Sequence, residues 1–182
     1  MDVAKPPASN ALARLASGIE AGVIGGLAML GLLVSGSLLR GHVWWETFNL
    51  LGSTFYGSRA FRLGPSMATI SGAALHFTIT GAVGALFGLI CGGLRERRQL
   101  VPLGMMAGIL WYYLGNAIFW QRINPLIPRY AFQPVALLSH AVFGACLGFM
   151  NRTGPAPQIS QSAGLDVSVS SDHSHADDSD AA

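Results

Sequence analysis

Three ionisable residues lie inside long apolar stretches of this sequence, Glu20, His76 and His140. An ionisable side chain inside a membrane segment is costly to bury, so each is a candidate functional residue. Glu20 follows Arg14 by about 9 Å along a helix, where a carboxylate can reach interfacial water or a basic neighbour. This snorkelling role is the preferred interpretation of Glu20, whereas the two histidines lie deeper in their stretches.

The two histidines allow three kinds of chemistry. A neutral imidazole that forms a hydrogen bond to a neighbouring helix suffices to explain each of them. If His76 and His140 face each other, they could form a proton or ion path with Asn116, Thr78 or Thr80. Facing imidazoles beside a glycine-lined gap could instead ligate a haem iron. Apart from haem, we expect no cofactor.

Other catalytic signatures are missing from the sequence. It contains no phosphate-binding glycine loop, no metal-spaced set of cysteines and histidines, and no nucleophile elbow. His42 and Glu46 have the i, i+4 spacing of neighbours on one helix face. This spacing favours a solvated surface pair over a metal site. We therefore expect neither an enzyme nor a bound metal ion.

The composition indicates the environment in which these residues work. Of the 182 residues, 51% are hydrophobic and 11% are charged, whereas a soluble domain has about a quarter charged residues. The net charge of +2 and the scattered arginines do not make a basic surface for nucleic acid. Cys91 and Cys146 lie in apolar, glycine-rich runs, which is typical of small buried residues. The partner that the composition predicts is a lipid bilayer.

Four apolar segments are long enough to cross the hydrocarbon core as helices. The predicted spans cover about 14–39, 66–94, 100–121 and 133–150. Three prolines, Pro65, Pro102 and Pro134, are predicted to open the second, third and fourth spans. The first turn of a helix tolerates proline because its amides have no partner to lose.

The connection between the first two spans, residues 40–64, is rich in aromatic side chains. Such side chains favour the headgroup level of a bilayer. We predict a short helix over 44–57, lying in the interface or tucked between spans. The other long connection, 121–132, is predicted to lie on the same side of the membrane.

Three regions follow from this division of the chain. Residues 1–13 precede the first span, 14–152 form a four-span domain, and 153–182 are predicted to be a disordered acidic tail. The tail cannot bury enough apolar area to offset its conformational entropy. Its His173 and His175 alternate with acidic residues and could collect a divalent cation, although a solubilising tail is the favoured interpretation.

The orientation of the chain rests on one short loop. Arg95, Arg97 and Arg98 follow the second span in a tight turn. A short loop with three arginines is hard to move across a membrane, because positive charge favours the cytoplasmic side. Both termini are therefore predicted to be cytoplasmic.

Each predicted span has small residues spaced by four, which stack on one helix face. Two of these stripes begin at the histidines His76 and His140. The helix-packing candidates are Gly18, Gly22, Gly26, Gly84, Gly88, Gly104, Gly108, Gly144 and Gly148. Glycine faces permit close backbone approach in lipid. The pattern indicates two related hairpins, span one with two and span three with four, as parallel repeats. Chance recurrence in glycine-rich spans is the alternative.

The order of these features resembles a known family. A glycine-striped first span is followed by a connection with Trp45 and Asn49, and then by histidine-led spans, the last of which begins Ser139-His140 and runs to Gly144. Over about 15–150 the chain resembles the small four-span bacterial inner-membrane proteins of the YagU type, whose function is unknown. The resemblance implies a bacterial membrane location and a loose link to acid tolerance. It supplies no catalytic residues.

The sequence thus predicts an all-α, four-span helical bundle in a bacterial cytoplasmic membrane. The leading functional hypothesis is a non-enzymatic protein that assembles with itself or with a larger membrane complex through its glycine faces. One alternative is a small transporter or proton-coupled channel that uses His76 and His140. The other is a haem-binding electron carrier that uses the same two residues.

Overall fold

The computed structural model describes residues 7–92 and 97–149, and the regular secondary structure of these residues is entirely helical. The α-helices are α1 (Pro7–Leu39), α2 (Trp45–Tyr56), α3 (Met67–Cys91), α4 (Arg97–Leu114), α5 (Trp120–Ile123), α6 (Leu126–Tyr130) and α7 (Gln133–Gly148). The predicted all-α class is therefore confirmed for this part of the chain. The predicted acidic tail over 153–182 and Arg95 of the arginine turn lie outside the described residues.

Three helices are long and apolar enough to cross a membrane, over Ala11–Leu39, Met67–Cys91 and Arg98–Ile123. The third combines α4 and α5 through a π-helical turn at Gly115–Phe119. These helices are compatible with an integral membrane protein. The fourth predicted span corresponds to α7, which has only 16 residues. Its length of about 24 Å falls short of the roughly 30 Å of hydrocarbon.

The prolines behave as predicted in only two of the three cases. Pro134 lies in the first turn of α7, and Pro65 directly precedes Ser66, the N-cap of α3. Pro102, in contrast, lies inside α4, which begins at Arg97. The prediction that Pro102 opens the third span is therefore wrong. α4 tolerates Pro102 because the missing proline amide leaves only one carbonyl, four residues earlier, without its helical partner. That carbonyl lies in the first turn, near the end of the helix.

The predicted helix over 44–57 is confirmed as α2, which ends at Tyr56 and is capped by Gly57, whose φ is 58°. It packs against the first turns of α3 through two glycines. A Cβ atom on Gly52 would overlap the carbonyl of Ala68, and one on Gly72 would overlap the carbonyl of Phe48. The close packing of the two backbones holds α2 against the bundle.

Two helix pairs make up the body of the molecule, α1 with α3 and α4 with α7, and α1 also packs against α7. Within each pair the glycine faces meet. A Cβ atom on Gly18 would lie 2.3 Å from the carbonyl oxygen of Gly84, and one on Gly104 would lie 2.1 Å from that of Gly144. These contacts lie toward the end of the helices that is remote from α2.

The two long connections meet at the opposite end of the molecule. Asn124, which precedes α6, is buried and donates hydrogen bonds to Ser53 Oγ at 2.7 Å and Thr54 Oγ1 at 3.1 Å. Both hydroxyls belong to α2. The two connections therefore lie at the same end of the molecule, as the prediction of a shared side of the membrane requires.

Candidate ligand-binding cavity

A cavity of about 490 Å³ lies between α1, α3, α4 and α7. Its wall extends from the connection end, where α2 and residues 126–132 contribute, to Met29, Thr80, Trp111 and Phe143. Beyond these residues the glycine contacts of the two helix pairs begin. The cavity therefore occupies the half of the bundle nearer the connections.

Four of the five residues singled out as an intramembrane polar site line this cavity. They are His76 and Thr80 on α3, Asn116 in the π-helical turn and His140 on α7. Glu20 does not belong to it, because it lies on the exposed surface of α1. Thr78 is also exposed, and its hydroxyl donates to the carbonyl of Ala74 in its own helix.

Each of the two imidazoles is fixed by one hydrogen bond to a backbone carbonyl. His76 Nε2 lies 2.8 Å from the carbonyl oxygen of Gly26, and His140 Nδ1 lies 2.7 Å from that of Ala136. A carbonyl oxygen only accepts, so the proton must be on His76 Nε2 and on His140 Nδ1. In the neutral tautomers, His76 Nδ1 and His140 Nε2 therefore carry lone pairs. Neither atom receives a hydrogen bond from residues 7–92 or 97–149.

The π-helical turn controls which side chains of the third span reach the cavity. The amide of Trp120 donates to the carbonyl of Gly115, five residues earlier. This wider turn keeps Trp111, Asn116 and Trp120 on the cavity wall, although a regular helix would turn one of them away. A π-helical turn of this kind is frequent at functional sites.

Charged and aromatic residues surround the mouth of the cavity. Arg40 lies over the ring of Phe132, with its guanidinium carbon 4.4 Å from the ring centroid. His42 and Glu46 form the predicted i, i+4 pair at 2.7 Å, with both side chains nearly half exposed. The mouth therefore combines apolar surface with charges that remain in contact with water.

Sequence reasoning missed several residues that hold the cavity in shape. The amide of Asn49 donates to the carbonyls of Ala60 at 3.1 Å and Leu63 at 2.7 Å, and its oxygen accepts from Thr69 Oγ1 at 2.7 Å. The interfacial segment gives a weak signal for this role, since Asn49 is a lone asparagine among aromatic residues. Asn124 was not singled out at all, because an asparagine before a proline is typical of any turn.

The described residues offer no conventional metal site. No group of three or more histidine, cysteine, aspartate or glutamate side chains lies together within 7–92 and 97–149. The chain also matches no protein-family model, no curated protein and no solved structure. The resemblance to proteins of the YagU type therefore stays a prediction.

Proposed function

We propose that this chain is a four-span transporter of the bacterial cytoplasmic membrane, which takes up a small molecule in the cavity and uses His76 and His140 as its polar contacts. The observation that carries this proposal is the position of both imidazoles on the wall of one cavity. A polar group in an apolar environment costs free energy unless a ligand or water satisfies it. Two such groups in one membrane-level cavity therefore favour a binding site.

The shape of the cavity favours transport over simple storage. A transporter exposes its site to one side of the membrane at a time, near the bilayer midplane. Here the cavity reaches the connection end, while the other end is closed by glycine contacts and by apolar side chains such as Phe87, Leu100 and Leu147.

The structure gives less support to assembly through the glycine faces. Gly18 and Gly84 contact each other within one helix pair, and Gly104 and Gly144 do so within the other. A face that is covered inside the chain does not offer close backbone approach to a partner. The sequence alone favoured assembly and left transport as an alternative. We therefore reverse this order and prefer the transporter.

Alternating access can be tested with two cysteines on the same helix. In a background with Cys91→Ala and Cys146→Ala, Ala136→Cys reports on the cavity wall and Leu147→Cys on the closed end. Proteoliposomes are treated with a charged, membrane-impermeant methanethiosulfonate from either side. We expect Ala136→Cys to react from the connection side, and Leu147→Cys to react slowly from the opposite side.

The exposed residue Ser58 supplies the matched control, since Ser58→Cys should react from the connection side at the full rate. If Leu147→Cys stays protected from both sides while Ala136→Cys reacts, the cavity is a fixed binding pocket and transport is excluded.

An absorption spectrum of the same preparation tests the haem alternative. A Soret band that disappears in His76→Leu and His140→Leu would replace the transporter with an electron carrier.

A further inference from the structure

We infer that the ligand of this cavity is an uncharged aromatic alcohol of the phenol or hydroquinone class, in which each hydroxyl donates its one proton to the free nitrogen of either His76 or His140. The inference rests on the proposed function, because it takes the cavity to be the binding site. It adds the chemical class of the molecule that the site accepts. The hydrogen-bond directions, the charges and the wall of the cavity support it independently.

The hydrogen-bond directions require a donor. The carbonyl of Gly26 fixes the proton of His76 on Nε2, and the carbonyl of Ala136 fixes that of His140 on Nδ1. The remaining nitrogen of each ring therefore acts as an acceptor while the imidazole is neutral. A hydroxyl group satisfies an acceptor of this kind, whereas a ketone or an ether oxygen would place one lone pair against another.

The charges of the cavity exclude strongly ionised ligands from its inner part. A carboxylate or phosphate would meet two acceptor nitrogens and would lose its hydration. An organic cation would also lose its hydration, and Glu46, the acidic residue among those that line the cavity, lies at the mouth and is paired with His42, where it does not offset this cost. A neutral hydroxyl avoids both costs.

The wall of the cavity fits a flat aromatic body. Trp111, Trp120 and Phe143 line it together with Tyr112. The Tyr112 hydroxyl already donates to Gln133 Oε1 at 2.5 Å, so this residue offers the cavity mainly its ring. Aromatic rings pack well edge-to-face or offset-stacked. The volume of about 490 Å³ lies within the usual range for small-molecule sites, roughly 300 to 1,000 Å³.

Two probes that differ only in the donor test this inference. The full-length protein in lipid nanodiscs is titrated calorimetrically with 2-naphthol and with 2-methoxynaphthalene, and empty nanodiscs supply the correction for partition into lipid. We expect 2-naphthol to bind about tenfold more tightly, since one added hydrogen bond contributes up to this scale. Equal affinity for the two probes would overturn the assignment to hydroxyl donors.

Variants then locate the hydroxyl. In His140→Leu, which loses only a bond to its own helix, the tenfold preference should fall to about twofold, while the affinity for 2-methoxynaphthalene stays unchanged. If His76 accepts the single hydroxyl proton instead, His76→Leu should show this loss and His140→Leu should keep the preference. Tyr113→Phe, on the exposed face of α4, is the control and should keep the full preference. A preference that survives both histidine variants would also overturn the inference.

Failure of the ligand class and failure of the proposed function give different results. If both probes bind equally, or neither binds, while Ala136→Cys and Leu147→Cys react from opposite sides, the chain is a transporter for another class of molecule. If the cysteines show no alternating access but 2-naphthol is preferred, the ligand class stands and transport does not.

Discussion

The side chain of Asn49 joins three parts of the chain at the connection end. It is 1% exposed, and its amide reaches backbone carbonyls that follow α2, while its oxygen accepts from Thr69 in the first turn of α3. The Leu63 carbonyl lies between the helices, whereas the Ala60 carbonyl belongs to the 3-10 helix Gly57–Arg62 and also accepts from the amide of Leu63. A single amide thus allows the chain to turn sharply between α2 and α3.

Replacing this amide with a carboxylate gives the sharpest prediction for a single residue. Asn49→Asp keeps the shape but places an acceptor against the carbonyls of Ala60 and Leu63. We expect it to lower the free energy of unfolding by about 3 kcal/mol, measured as a fall in Tm of the detergent-solubilised protein. Thr78→Val, which removes an exposed hydroxyl, should change it by less than about 0.5 kcal/mol. Similar Tm values for the two variants would contradict the role of Asn49.

The two histidines and the two asparagines differ in how visible they are in the sequence. His76 and His140 interrupt long apolar runs, so their cost in lipid makes them conspicuous without a structure. Asn49 and Asn124 lie in polar or aromatic connections, where an asparagine carries no evident cost. Their hydrogen bonds join residues that are far apart in the chain, as the bond between Asn124 and Ser53 illustrates. The periodicity of a sequence cannot predict such pairs.

Helix pairing depends on glycines that leave no room for even one methyl group. On α7, a Cβ atom at Gly144 would lie 2.1 Å from the carbonyl oxygen of Gly104. On α1, a Cβ atom at Gly31 would meet nothing within 4 Å. Glycines in the same kind of helix therefore have opposite roles, although both stand in apolar spans.

This contrast predicts opposite effects of the same substitution. Gly144→Ala should destabilise the protein by about 2 kcal/mol, because α4 and α7 must move apart. Gly31→Ala should leave it unchanged or stabilise it by up to about 1 kcal/mol, because alanine favours the helix. Thermal unfolding in detergent measures both. A loss of stability in Gly31→Ala that equals the loss in Gly144→Ala would show that helix contacts are not the cause.

The helices and their contact faces could be predicted from the sequence only where a regular pattern of residue types marks them. The stripes of small residues indicated which helix faces make contact, and the aromatic segment indicated α2. The π-helical turn at Gly115–Phe119 could not be predicted, because it depends on how Trp111 and Trp120 pack around the cavity. The position of Pro102 inside α4 could not be predicted either, because the apolar pattern does not mark the start of the helix at Arg97.

At the scale of the whole molecule, the two helix pairs have similar internal glycine contacts. The contacts between the two pairs, however, are not symmetric. A duplication would match α1 with α4 and α3 with α7, so the contact of α1 with α7 should have a counterpart between α4 and α3. Gly25 and Gly36 bring α1 close to α7. Within residues 7–92 and 97–149, α3 and α4 make no comparably close backbone contact, and both line the cavity. The cavity therefore occupies the place where a symmetric bundle would be closed.

The short helix α7 decides the topology of the whole chain, because its 16 residues cover only about 24 Å. Its contacts with α1 and α4 hold it within the bundle, and a bilayer can thin locally around a short span.

If α7 crosses the membrane, positions before α4 and after α7 lie on one side of the membrane, opposite both connections. In the background without Cys91 and Cys146, Ser58→Cys should react with an impermeant maleimide on intact spheroplasts, whereas Ser160→Cys and Arg98→Cys should react only after lysis. A reaction of Ser160→Cys on intact spheroplasts, together with Ser58→Cys, would instead place α7 on the surface and reduce the protein to three spans.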